Sequence, residues 1–211
     1  DSAGIALRDE ESGKTEVRKC AGRVSDLRAI CASEKVVSQC GIGHTRWATH
    51  GGVNDCNAHP HQVGKVTLVH NGIIENYREL IADYDLADTL KSETDSEVVA
   101  ALLNRFYEGN PEEAIKKTVS KLKGTFALVI LFEDQKDVIY STRNVSPIVA
   151  TICKEGAMLA SDLTALCRFT NRYFVVPEYH ILKLSADKLT LTDFDGNEML
   201  PKYLTVDWEL N

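Results

Sequence analysis

The sequence lacks several features, and each shortage narrows what the chain can be. It has no apolar run near the roughly 20 residues that a membrane-spanning helix needs. Its opening, DSAGIALRDE, has neither the basic start nor the apolar stretch of a secretory signal. Cations are in deficit, with 24 Lys and Arg against 31 Asp and Glu and a formal net charge of −7. That argues against a nucleic-acid partner or an anionic membrane surface, both of which need clustered Lys and Arg. The six cysteines, at positions 20, 31, 40, 56, 153 and 167, form no CxxC pair and no tight framework. In a chain this long without a secretion signal they are expected to be reduced thiols of a cytoplasmic protein. There is no internal repeat and no low-complexity linker, so a single domain over residues 1–211 is expected.

What is present reads as an α+β chain. Residues 3–9 and 15–20 alternate around Ser12-Gly13 as a hairpin, and 22–33 carry apolar residues at helical spacing. The segment GHTRWATHGG (residues 43–52) is expected to be a strand running into a loop, and residues 65–70 a strand stopped by Asn71-Gly72. Helices are predicted over about 75–83, 95–108 and 111–122, the last opening on Pro111. The run Ser92-Glu93-Thr94-Asp95 holds cap-type residues, placing Asp95 at or beside a helix N-terminus. From 124 onward the pattern turns to short strands: 126–132, 138–141, 148–152, 157–160, 173–176, 180–185 and 189–193, with a turn at Asp195-Gly196.

Five of the six histidines lie between positions 44 and 70, near Arg46, Trp47, Asn57 and Asn71. One reading is a metal site, with His59 and His61 joined by His50 or His70. A catalytic zinc needs three ligands backed by carboxylates or carbonyls, and Asp55 is the only nearby acid, so no metal and no cofactor are expected. A free α-amino acid explains more of these residues. Its carboxylate suits the guanidinium of Arg46, and its ammonium suits Asp95, with Thr49 and the backbone around His50 adding hydrogen bonds. An ordinary ion pair between elements accounts for Arg46 and Asp95 equally well. Asn71-Gly72 reads either as a tight turn or as an oxyanion hole made of a side-chain amide and a glycine N–H.

The ordered motifs GHTRWATHG, NAHPH, VHNGIIENYREL and SETDSEV resemble those of the class II glutamine amidotransferases, and within them the glutaminase domains of the hexosamine-forming aminotransferases. The similarity continues through KLKGTFALVI, STRNVSPIV and LASDLTAL over nearly the whole chain. It implies an N-terminal-nucleophile hydrolase fold, a four-layer αββα sandwich of two antiparallel sheets. It also implies that Arg46, Thr49 and His50 hold the glutamine carboxylate, Asp95 the ammonium, and Asn71 with Gly72 the oxyanion. Trp47 would sit on a loop gating ammonia, and His59 would order a loop. The family's nucleophile is an N-terminal cysteine, which this chain does not have, and its six cysteines do not match it by motif. The expectation is therefore a domain lacking its first strand and nucleophile, unable to hydrolyse glutamine by itself. The resemblance further implies fructose 6-phosphate as acceptor on an absent C-terminal domain, and a homodimer at full length. A non-catalytic amino-acid binder, the glutaminase domain of another class II member, and a histidine-dependent metallohydrolase are the rival readings.

Overall fold

The computed structural model describes residues 1–47 and 52–207. In chain order the elements are β1 (Ser2–Arg8), β2 (Thr15–Ala21), α1 (Val24–Ser33), β3 (Gly41–Arg46), β4 (His61–Val63), β5 (Val66–Asn71), α2 (Tyr77–Asp83), α3 (Asp95–Phe106) and α4 (Pro111–Val119). The second half is almost all strand: β6 (Phe126–Phe132), β7 (Ile139–Asn144), β8 (Val149–Cys153), β9 (Gly156–Ala160), β10 (Arg172–Val175), β11 (His180–Leu184), β12 (Leu189–Asp193), β13 (Glu198–Met199) and β14 (Leu204–Thr205). Every strand pairing among them is antiparallel.

The largest sheet has seven strands in the order β13-β12-β11-β7-β6-β5-β4. Its β6, FALVILF, is buried at all seven positions because both faces are covered. Strand alternation divides it between two cores. Phe126, Leu128, Ile130 and Phe132 face α3 and α4, while Ala127, Val129 and Leu131 face the opposite layer. Helix α3 is buried along Val98–Leu103, which seals the helical core from above. A fully buried Leu or Phe here stabilises the fold by about 1.5–3 kcal/mol.

The opposing sheet layer is divided. A three-stranded group, β2-β1-β3, and a four-stranded group, β14-β10-β8-β9, both face the large sheet. Ala6 and Ile42 of the first meet Ile148, Ala150 and Phe174 beside the second in one core. Outside the smaller group, α1 packs through Leu27 on Ala3 and Cys20. The layers therefore run helices, sheet, divided sheet, helix, the four-layer order that the resemblance implies, with its second sheet in two pieces. Strand β4 falls in a stretch read as loop; its three residues pair with Val66, Thr67 and Leu68. Helix α4 stops at Val119, short of 122, because Lys121 and Leu122 donate to Thr118 and Val119 in tight turns. The hairpin turn closes where expected, with Asp9 N–H donating to Lys14 O at 2.9 Å and Gly13 at φ +71.

Candidate active site

Strand β3 pairs along one side with β1, Ser2 opposite Arg46 and Leu7 opposite Gly41. Its alternation puts His44 and Arg46 on one face. Arg46 is buried, and its Nη1 donates to Gly52 O at 3.1 Å. Asn57 Nδ2 donates to the same carbonyl at 2.9 Å, and Asn57 Oδ1 accepts Glu93 N–H at 2.9 Å, tying the loop after β3 to the loop before α3. Trp47, directly after the strand, is 80% exposed. Thr49 and His50 lie outside the described residues.

Strand β5 delivers the next group. Val66 and Leu68 belong to the helical core, so His70 faces α3 and Asn71 faces β3. Gly72 follows with φ +123, and a Cβ there would lie 2.2 Å from Thr125 O, so only glycine fits this approach. Helix α3 opens on Thr94, whose side chain accepts Glu97 N–H at 3.3 Å. Asp95 is its first residue, buried, with Oδ2 accepting Ile74 N–H at 2.8 Å. A carboxylate is favoured there by the partial positive charge of the helix N-terminus.

Arg46, Trp47, Asn71, Gly72 and Asp95 all line one cavity of about 410 Å³. It offers a cation and an anion on opposite elements of the fold, which is what a zwitterion requires. It also offers two donors. Neither Asn71 Nδ2 nor Gly72 N–H has an acceptor among the described residues; the Asn71 side chain is engaged only through Oδ1, by His44 Nε2 at 2.8 Å.

The histidine cluster surrounds this cavity from beneath. His70 Nε2 lies 3.3 Å from Thr125 O, which can only accept, so His70 Nδ1 takes the Ser96 hydroxyl at 2.9 Å. His61 Nε2 meets Thr94 Oγ1 at 3.0 Å. Burial holds all four described site histidines below the usual imidazole range: His44 and His70 are lowered, His59 well lowered, and His61 brought down to about 3. They are neutral at pH 7 and occupied with protein contacts. No group of three or more His, Cys, Asp or Glu suited to a metal occurs among the described residues.

None of the six cysteines lines the cavity, and all are free. Burial pushes the Cys40 thiol up to about 11 and also raises Cys20, which makes both poor nucleophiles. Cys56 spends its thiol on Lys91 O at 3.0 Å. A second, more apolar cleft of about 640 Å³ adjoins the site. It runs between β3 and β9, over Val129 of the large sheet, and shares His44 and Asn71 with the cavity. Both β3 and β9 have only one strand partner among the described residues.

Sequence reasoning gave no role to His44 or Lys19. The signal for His44 was available, since it precedes Arg46 by two on a strand and must share its face. Lys19 had no such signal: its ammonium donates to the carbonyls of Cys56, Ala58 and Pro60 at 3.3, 2.8 and 3.1 Å, fixing the loop that carries His59.

A family model for a glutamine amidotransferase domain matches residues 48–168. The glutamine–fructose-6-phosphate aminotransferase (isomerizing) of Symbiobacterium thermophilum is 40% identical over 212 residues, covering 99% of this chain and 34% of that protein. The protein of the same name from Bacillus licheniformis is 41% identical over 203 residues, covering 94% and 33%. The chain thus spans about a third of the length of the curated relatives it matches. Among solved structures, the glutamine phosphoribosylpyrophosphate amidotransferase of B. subtilis aligns with a TM-score of 0.77 at 23% identity, over 93% of this chain and 44% of that one. A glutamine aminotransferase class-II domain protein from Silicibacter pomeroyi aligns at 0.64 and 17%, over 91% of each chain. At those identities the likeness speaks to the fold, which is the layered N-terminal-nucleophile hydrolase architecture that the motifs imply. The family match over more than half the chain establishes that the chain belongs to the class II glutamine amidotransferases.

Proposed function

We propose that this chain is the glutaminase part of a hexosamine-forming aminotransferase, supplying ammonia from glutamine to fructose 6-phosphate bound on another domain. The observation that carries the reading is the pair of donors without protein acceptors, Asn71 Nδ2 and Gly72 N–H, in the cavity that also holds Arg46 and Asp95. Arg46 takes the substrate α-carboxylate and Asp95 its α-ammonium, which leaves the side-chain amide to reach Asn71 and Gly72. Thr49 and His50 complete the carboxylate site, and Trp47 sits on the loop that gates ammonia, roles that follow from the resemblance. A cysteine thiolate attacks the amide carbon, the C=O electrons move to oxygen, and the two donors stabilise that oxyanion. The proton given up by the thiol passes through the nucleophile's own α-amine, the base that the resemblance implies, to the departing nitrogen, so collapse expels ammonia and leaves a γ-glutamyl thioester, and water then releases glutamate and the thiol.

Because no cysteine lines the cavity, the thiol comes from outside these 211 residues. The cleft between β3 and β9 supports this, since an extended segment seated there would end beside His44 and Asn71. The homodimer and the sugar phosphate acceptor rest on the resemblance to the hexosamine-forming relatives, and the cytoplasmic location on the six free cysteines.

The test is glutamine and glutamate binding to the 211-residue polypeptide by calorimetry, beside turnover by the complete gene product. The polypeptide binds without releasing glutamate, and Arg46→Lys weakens binding about 10- to 100-fold by losing a bidentate charged contact. Unchanged affinity in Arg46→Lys, or glutamate release by the polypeptide alone, refutes the assignment. Binding by a complete gene product that never turns over assigns the chain instead to amino-acid sensing.

A further inference from the structure

The reaction described above uses Asn71 but none of the histidines packed under it. A side-chain amide can be turned over, presenting either Nδ2 or Oδ1 to the cavity, and only Nδ2 can stabilise an oxyanion. Something must hold it the right way round. His44 Nε2 lies 2.8 Å from Asn71 Oδ1. The His59 ring stacks on His44 with centroids 4.1 Å apart and planes inclined by 18°. His59 is itself fixed, because its Nδ1 accepts the backbone N–H of His70 at 3.3 Å. The His59 and His61 rings also meet edge to face, with centroids 4.8 Å apart and planes at 67°. The His59 carbonyl sits so close to Gly4 that a Cβ there would lie 1.8 Å from it.

The geometry points to His44 as a positioning residue for the oxyanion hole, its Nε2–H fixing the Asn71 amide with Nδ2 toward the substrate and the His59 ring fixing His44. This rests on the reading of Asn71 given above. Oδ1 can only accept, so the proton must be on Nε2 of His44, and Nδ1 is bare. Nδ1 is shut off from solvent, and the ring lies against the His59 ring and the backbone of His70. Burial, which lowers His44 and lowers His59 further, keeps both rings neutral. Stacked neutral rings do not repel, so the pair persists at physiological pH.

The experiment measures steady-state glutaminase kinetics of the complete gene product as wild type, His44→Phe, His44→Gln, Asn71→Ala and the His44→Phe/Asn71→Ala double variant. His44→Phe keeps the ring stack and removes the donor; kcat falls about 10- to 100-fold while KM moves less than about threefold. His44→Gln restores most of kcat, since its amide N–H can replace Nε2–H. The double variant is no slower than Asn71→Ala alone, because His44 acts only through Asn71. An unchanged kcat in His44→Phe, or losses that multiply in the double variant, overturns the proposal. Should His44→Phe fail to fold, imidazole nitrogen resonances of the labelled 211-residue chain at pH 7 decide. A neutral Nε2–H tautomer at His44 supports the assignment, and an Nδ1–H tautomer or a charged ring refutes it. An inactive wild type, or Asn71→Ala with full activity, strikes the glutaminase reading instead, which separates the two failures.

Discussion

Replacing Gly72 by alanine tests whether the backbone at the donor pair is held as closely as the geometry says. Gly72 has φ +123, a region that L residues avoid at a cost of about 1–3 kcal/mol. Its added Cβ would meet Thr125 O at 2.2 Å and Thr125 C at 2.7 Å. Ordinary contact begins near 3.4 Å, so backbone must move by about an ångström, and overpacking of that kind costs about 1–3 kcal/mol more. Thr125 cannot yield freely: its N–H donates to Ile73 O and its hydroxyl accepts Ile73 N–H, each at 3.0 Å. The structure provides its own control in Gly109, which has φ +97 but nothing within 4 Å of a Cβ. Gly109→Ala carries the conformational cost alone, about 1–3 kcal/mol, and Gly72→Ala about 2–6 kcal/mol in all. With a urea m-value of about 2 kcal/mol per M, Gly72→Ala lowers the unfolding midpoint by about 1–3 M. If the two substitutions shift the midpoint equally, the close approach of Gly72 to Thr125 is not real, and the fixed direction of its N–H goes with it.

The neutral histidines make stability depend on pH. His61 sits at about 3 in the folded chain against an ordinary 6.5, so between those values the unfolded chain binds a proton that the folded chain does not. The contribution is complete above about 6.5 and is lost as pH falls through that window toward 3. From pH 7 to pH 5 this amounts to about 2 kcal/mol from His61 alone, with His44, His59 and His70 acting in the same direction. Urea midpoints at the two pH values check it, and a midpoint unchanged or higher at pH 5 contradicts the burial argument. Lys19→Met keeps the aliphatic stem and removes the donor to three carbonyls. It is expected to cost about 1–3 kcal/mol and to speed amide exchange over residues 55–62, and protection unchanged from wild type would show that the loop is held by other contacts.

The sequence made the local parts of this site legible because their causes are local. Asp95 could be placed at a helix start from Ser92-Glu93-Thr94, and Thr94 does cap α3. The apolar run 126–132 could be read as a strand because it is too short for a helix of comparable burial. Arg46, Trp47, Asn71, Gly72 and Asp95 meet in one cavity, an outcome that spacing left undecided between a substrate site and an ion pair. Three features were out of reach because their partners are distant in sequence. The division of the second sheet layer depends on which edges of β3 and β9 find strands. Strand β4 exists only because β5 folds back on His61–Val63. Lys19 holds carbonyls 37 to 41 residues away.

His44 lies between these two cases, and it shows where residue-level reading stops. Alternation along β3 is enough to place it on the same face as Arg46. No rule of spacing reports that β5, in the other sheet layer, presents Asn71 to that face 27 residues later. The residue acquires meaning from a contact between layers, and that contact reaches only one of the two atoms that could face the substrate. A threonine or serine at 44 would keep the strand and lose the reach. A histidine kept neutral by burial supplies one N–H at the right distance and stacks on His59 for support. His44, His59 and His70, held neutral by burial, line the polar cavity, and their packing matters because a donor that can rotate away stabilises nothing.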